Sequence, residues 1–215
     1  MSTFDIRDMR VKYKDRTEAF TEDQLVSDEP IGQFTAWFEE MKKCPDIIEP
    51  NAMCLATANR NGIPSARMVL LKGYGPEGFK FFTNYESRKG CDLAENPQAS
   101  LMFYWPPFNR QVRIEGKVEK VPDSESVEYF NKRPISSRVS AIISEQSKLV
   151  PSRDYLIKAA NDVISRGEVE RPPFWGGFVL HHEYVEFWQG QSDRLHDRII
   201  YKKNDVKWDI LRLAP

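Results

Sequence analysis

Cysteine and histidine are scarce in this sequence, long apolar runs are missing, and almost no net charge is left over. Cys44, Cys54 and Cys91 are odd in number and scattered, which argues against a disulfide framework and fits a reducing compartment. Two of the three histidines are adjacent (His181, His182) and no Cys-x-x-Cys occurs, so a zinc site has little support and no metal is expected. Lys and Arg number 31 against 32 Asp and Glu, a formal net charge of -1, whereas a general nucleic-acid or anionic-membrane binder carries a basic excess. No apolar run approaches the roughly 20 residues that span a bilayer. The start, Met-Ser-Thr-Phe-Asp, is polar and unlike a signal peptide. A cytoplasmic protein with neither nucleic acid nor membrane as partner is the expectation. Glycine motifs for nucleotides are missing too, with no Gly-x-Gly-x-x-Gly and no Walker loop, and there is no Gly-x-Ser-x-Gly elbow for a nucleophilic serine.

What is present fits a single domain of 215 residues able to bury a substantial core. Residues 1–28 read as a flexible arm, rich in Arg10, Lys12, Tyr13, Lys14 and Arg16, and 29–215 as one domain. Ser27-Asp-Glu-Pro30 opens a helix whose Ile31, Phe34, Trp37, Phe38 and Met41 fall on one face. From Ala52 the period becomes extended. Strands are expected at 53–57, 65–73, 79–84, 99–105, 110–121, 175–180, 184–188, 198–201 and 208–213, with Asn61-Gly62 as a hairpin turn. Helices are expected from Ser87 to near Asn96, over Asp123–Lys132, roughly over Ser137–Ser144 and roughly over Ser152–Arg166. Short strands joined mainly by tight turns predict a mainly β, α+β fold: a closed or nearly closed antiparallel barrel with peripheral helices.

Several polar groups stand out against this apolar pattern. In extended chain Arg194, His196 and Arg198 share a face, as two guanidiniums and an imidazole would to meet anions or an electron-rich ring. An edge strand with its charges in water is the plain alternative. Arg67 and Lys72, five apart, fall on opposite faces of a regular strand and so could serve two different anions, unless either merely reaches for solvent. Ser87-Arg88-Lys89 opens a helix, where free N–H groups already favour a phosphate. Gln111 and Arg113 share a strand face, and Gln146-Ser147 is a small polar pair able to bind an oxyanion. Tyr129, Arg133 and Ser137 recur at intervals of four, with Pro134 bending the chain so that they converge, or else they form a solvated helix end. Two cation clusters and an aromatic wall at Trp188 suit a phosphorylated aromatic cofactor lying against a second phosphorylated ring.

The stretches Ser65-Ala-Arg67-Met-Val-Leu-Leu-Lys72-Gly, Phe82-Thr83-Asn84-x-x-Ser87-Arg88-Lys89, Arg110-Gln111-Val-Arg113-Ile-Glu-Gly and Glu186-Phe-Trp-Gln-Gly-x-x-x-Arg194-Leu-His196-Asp-Arg198 closely resemble the pyridoxine/pyridoxamine 5'-phosphate oxidase family. So does the terminal Arg212-Leu-Ala-Pro215. The resemblance implies an FMN-binding split β-barrel, a homodimer with FMN at the subunit interface, and oxidation of pyridoxine or pyridoxamine 5'-phosphate to pyridoxal 5'-phosphate by O2. It assigns Arg67, Met68, Val69, Leu70, Phe82, Thr83, Arg88, Lys89, Gln111, Gln146, Ser147, Trp188 and Arg198 to the FMN. Lys72, Tyr129, Arg133 and Ser137 would grip the substrate phosphate, with Arg194 and His196 over the substrate ring. Arg10, Tyr13 and Arg16 are expected as lid residues. The rival readings are a flavin reductase of the same barrel fed by NAD(P)H, and a non-catalytic flavin or pyridoxal-phosphate carrier.

Overall fold

The computed structural model of the chain describes residues 6–9, 12–13, 19–167 and 169–215. Arg10 and Arg16, expected in the lid, lie outside the described residues. Nine strands and five α-helices are found among them. The strands are β1 (Ala52–Ala58), β2 (Pro64–Leu70), β3 (Gly73–Gly75), β4 (Gly78–Asn84), β5 (Gln98–Trp105), β6 (Arg110–Lys120), β7 (Trp175–Gln189), β8 (Asp197–Lys203) and β9 (Trp208–Arg212). The helices are α1 (Pro30–Lys42), α2 (Arg88–Glu95), α3 (Asp123–Lys132), α4 (Ile135–Ile143) and α5 (Arg153–Arg166). Hydrogen bonding orders the strands β2-β1-β5-β6-β7-β4-β3, with β8 on β7 and β9 on β8. Two compact units share the chain: 1–50, 103–113 and 184–215 in one, 51–102 and 114–183 in the other.

The first unit is organised by the aromatic stripe of α1. Phe34, Trp37, Phe38 and Met41 are buried. Phe34 lies 5.2 Å from Phe103, and Trp37 meets Phe187 edge-on at 5.2 Å. Helix α1 starts at Pro30, whose missing N–H costs nothing in the first turn. Glu29 occupies the cap position, and the Ser27 hydroxyl accepts instead from the Glu29 N–H (3.0 Å).

In the second unit β1 alternates strictly, with Met53, Leu55 and Thr57 inward. It pairs with β2 in a register running from Ala52↔Leu70 to Ala58↔Pro64. The turn between them uses Gly62 at φ +75° and the Asn59 side chain, which accepts from Asn61 and Ile63. β4 pairs with β7 from Phe79↔Leu180 to Asn84↔Trp175.

The two strands expected at 175–180 and 184–188 are one strand of 15 residues. His181-His182-Glu183 contains no turn-forming residue, and the strand runs straight through it: His182 is buried edge-on against Phe79 (5.7 Å). Gly116 of β6 makes room for this, because a Cβ there would lie 1.9 Å from the His181 carbonyl oxygen. Backbone is in the way, so Gly116→Ala should cost about 1–3 kcal/mol, seen as a lower denaturation midpoint at unchanged slope. Gly75→Ala, where nothing lies within 4 Å, should stay within about 0.5 kcal/mol of the parent.

Candidate active site

The second unit holds a cavity of about 670 Å³ with an unusual charge balance. Arg67, Lys72, Lys89, Lys132 and Arg133 line it, and no aspartate or glutamate does. Its remaining wall comes from the 68–70 stretch of β2, from Phe82 and Thr83 of β4, and from Tyr129, Ser137, Gln146 and Trp175.

Arg67 is fixed from below. Its guanidinium donates to the Leu55 carbonyl (3.1 Å), to the Thr57 hydroxyl (2.8 Å) and to Ser65 Oγ. The Thr57 hydroxyl in turn donates a hydrogen bond to the Asp92 carboxylate (2.8 Å), which also pairs with Arg88 Nε at 2.9 Å. Arg88 is exposed, is engaged one turn along its own helix, and does not line the cavity. Lys89 is the buried cation of that helix start. Its Nζ donates to Gln146 Oε1 (2.7 Å) and Ser87 Oγ (3.2 Å), while Ser87 also caps α2 by accepting from the Gly90 N–H. Burial, and then the charge of Arg67, lower the Lys89 ammonium to about 8. Thr83 reaches the same Gln146 oxygen at 3.4 Å. Ser147, at φ +74°, accepts from the Arg88 N–H (3.1 Å) and ties the 144–147 loop to the helix start.

A second group of cations surrounds Tyr129. Lys72 Nζ lies 5.9 Å from the Tyr129 ring centre, and the Arg133 guanidinium 4.6 Å from that of Trp175. Helix α3 ends at Lys132 and α4 begins at Ile135, so Pro134 makes the bend that brings Ser137 to the cavity along with Tyr129 and Arg133. Burial pulls Arg133 below its ordinary value, and its Nη1 is buried with no hydrogen-bond partner. A buried donor left open in this way fits an anionic group.

Arg67 and Lys72 line one cavity instead of lying on opposite faces as expected. The regular strand stops at Leu70. Leu71 N–H turns to the Asn51 carbonyl and Lys72 N–H to that of Lys80, so alternation does not carry across the break.

The first unit places the other expected residues. Trp188 on β7 stacks obliquely on His196 (4.9 Å), and Tyr13 meets Trp188 edge-on at 6.2 Å. Arg194 and His196 are not in extended chain: residues 190–196 form a loop, with Arg194 at φ +71°. The Asp193 carboxylate accepts from the Leu195 N–H (2.9 Å) and closes a side-chain turn that displaces the strand. Only Arg198 sits on a strand, β8. The Gln191 N–H donates to His196 Nδ1 (2.9 Å), which leaves the proton of the neutral ring on Nε2. Burial, then the Arg194 charge, push this ring below its ordinary value and keep it neutral near pH 7. Arg198 Nε (2.6 Å) and Arg113 Nη2 (2.5 Å) share the buried Glu186 carboxylate. Burial pushes Glu186 up, and the bonds from Arg198 and Arg113 overcome it, so the carboxyl is held low. Gln111 is half-buried on β6 and makes no hydrogen bond to another described side chain.

Sequence reasoning missed Trp175, Lys132 and Asn84 in the cavity wall, and Glu186 between its arginines. A carboxylate inside the apolar run Val185–Trp188 was the available signal for Glu186. Trp175 offered none beyond an aromatic opening a strand.

A family model described as pyridoxamine 5'-phosphate oxidase matches residues 38–166. The chain belongs to this family. A second model, the C-terminal dimerisation region of pyridoxine 5'-phosphate oxidase, matches residues 175–215. The Bos taurus pyridoxine-5'-phosphate oxidase is 53% identical over 211 residues, covering 97% of this chain and 81% of the relative. The Salinibacter ruber pyridoxine/pyridoxamine 5'-phosphate oxidase is 51% identical over 196 residues, with 88% and 91% covered. Among solved structures, PhzG from Burkholderia lata 383 in complex with tetrahydrophenazine-1-carboxylic acid matches with TM-score 0.85 at 30% identity, covering 91% of this chain and 97% of that one. A pyridoxamine 5'-phosphate oxidase-related FMN binding protein from Nostoc punctiforme shares the fold, with TM-score 0.69 at 18% identity and 87% and 98% covered. Family and neighbours give the fold class as the antiparallel split barrel with outer helices.

The charge on Lys89 should make any anion binding in this cavity pH-dependent. Below about 8 the ammonium is charged and attracts anions; above it the charge goes. Sulfate, whose own charge is constant there, should therefore bind more weakly as pH rises from 7 to 9, and Lys89→Arg should flatten that profile in a titration calorimeter. The ordinary value of 10.5 is higher than the folded one, so charged Lys89 costs stability below about 8 and the cost fades toward 10.5.

Proposed function

We propose that the chain is an FMN-dependent oxidase converting pyridoxine 5'-phosphate or pyridoxamine 5'-phosphate to pyridoxal 5'-phosphate. Dioxygen is the acceptor and hydrogen peroxide the by-product; the amine substrate also consumes water and releases ammonia. The observation that carries this reading is the cavity with five cationic residues and no carboxylate, in a chain about half identical to oxidases of that name. FMN, held by the residues named below, would supply the two-electron acceptor between the substrate's C4' carbon and dioxygen.

The chain's own residues bind and orient. Arg67 and Lys89, steadied by Thr57, Ser87 and Gln146, hold the FMN phosphate, and the 68–70 stretch with Phe82 and Thr83 lines the flavin. Lys72, Tyr129, Arg133 and Ser137 take the substrate phosphate. Arg194 clamps the pyridine ring. His196, with its Nε2 proton fixed by the Gln191 contact, donates to the ring's polar substituents. Gln111, Ser147, Arg88, Trp188 and Arg198 complete the FMN surroundings, with Glu186 setting the plane of the Arg198 guanidinium. The dimerisation-region match supports a homodimer, and we place FMN at its interface. No helix among the described residues is long and apolar enough to cross a membrane, in keeping with a cytoplasmic enzyme.

A nicotinamide-fed flavin reductase leaves the Tyr129–Arg133–Ser137 group without a task, whereas a pyridoxal-phosphate carrier would use it without turnover. Aerobic addition of pyridoxine 5'-phosphate should give the aldehyde's absorbance and peroxide in equal amounts. NADPH consumption without aldehyde would sink the proposal. Lys72→Ala or Arg133→Ala should raise KM roughly 10- to 100-fold, the worth of a charge-assisted bond, while flavin survives dialysis. Arg194→Ala with unchanged turnover and KM would remove the ring-clamping role.

A further inference from the structure

Several arginines in this chain are held by carboxylates. Arg110 pairs with Glu40, Arg113 and Arg198 with Glu186, Arg171 with Asp123, Arg212 with Glu22 and Asp197. Arg133 breaks the pattern. It is half-buried, has no carboxylate partner among the described residues, and lies over the indole of Trp175 at 4.6 Å.

The difference matters for anion binding. A carboxylate bonds a guanidinium along its N–H edges, the same edges a phosphate needs. An aromatic ring takes the flat face and leaves the edges open. Arg133 lines the cavity with no carboxylate on its edges among the described residues, and its Nη1 is buried without a partner. Trp175 is itself immobilised: its carbonyl accepts from Arg171 Nη1 (2.6 Å) and its N–H donates to the Pro172 carbonyl (3.1 Å). Its ring lies nearly parallel to Tyr129 (6.1 Å, 13°) and Phe82 (5.7 Å, 18°), with Phe130 against its edge (5.2 Å).

We propose that Trp175 is a positioning residue for the substrate phosphate, presenting the Arg133 guanidinium face-on so that its edge is free for the anion. The inference rests on the phosphate assignment made above. Trp175 acts through Arg133 and by its place in the Phe82–Tyr129–Trp175 stack, which also orients Tyr129.

Steady-state kinetics of the flavin-loaded enzyme with pyridoxine 5'-phosphate test this as a cycle of Trp175→Leu, Trp175→Phe and Arg133→Ala. Loss of the cation–π contact in Trp175→Leu should raise KM roughly 5- to 30-fold, with a smaller change in kcat and flavin retained. Trp175→Phe should recover most of the loss. In the Arg133→Ala background the same substitutions should alter KM less than about twofold, because the group they act through is gone. An equal KM rise with and without Arg133 would mark a general packing role and overturn the inference. If Arg133→Ala raises KM and neither Trp175 variant does, only the role of Trp175 falls. If Arg133→Ala leaves KM unchanged, the phosphate assignment fails and takes this inference with it. Trp175→Phe keeps the cycle usable should the leucine variant not fold.

Discussion

Like charges gathered in one lining from which carboxylates are kept out are the constraint around which the second unit is built. Five cationic residues line one cavity, and burial works against keeping Arg67, Lys89 and Arg133 charged, most visibly at Lys89. The protein answers with neutral partners. Hydroxyls, a carbonyl, an amide and aromatic faces hold Arg67, Lys89, Lys72 and Arg133 where carboxylates would have cancelled them. Carboxylates stay outside the lining: Glu128 pairs with Lys132 one turn away on its helix, and Asp92 reaches Arg67 only through the Thr57 hydroxyl. The free energy of gathering these charges is therefore returned when an anion arrives, which couples binding to relief of repulsion.

The first unit solves a different problem. Arg110, Arg113, Arg198 and Arg212 are paired with carboxylates, Arg113 and Arg198 with the same Glu186, so there the charge is used for rigidity more than for attraction. That rigidity reaches His196, whose tautomer is set by a backbone donor in the 190–196 loop and whose ring leans on Trp188. A neutral, oriented imidazole beside Arg194 combines a directed donor with an exposed charge.

Much of this was legible in the sequence, for physical reasons that differ by element. Helices α3 and α5 begin and end close to where their capping and breaking residues stand, since those signals are local. The β1–β2 hairpin was readable from Asn61-Gly62, because few residues accept φ +75°. The quoted motifs carried the family. What failed was extrapolation of alternation across a break: past Leu70 the chain changes hydrogen-bond partners, and past Gly190 the Asp193 turn replaces the strand. The long β7 was read as two strands because charged and histidine residues resemble a turn until Gly116 is seen opposite them. Trp175 and Glu186 were missed because their importance lies in which arginine they meet, a matter of tertiary geometry.

The Ser87 hydroxyl shows how tightly helix and cavity are joined. It caps α2 and also accepts from Lys89 Nζ at 3.2 Å. Aspartate caps helices about as well as serine does, and by helix propensity alone the two are interchangeable here. An aspartate at this position, however, would set a permanent negative charge against the lysine and restore the neutrality that the lining excludes. Two unrelated demands thus converge on one uncharged oxygen, and the freedom a capping position ordinarily enjoys during sequence drift is withdrawn.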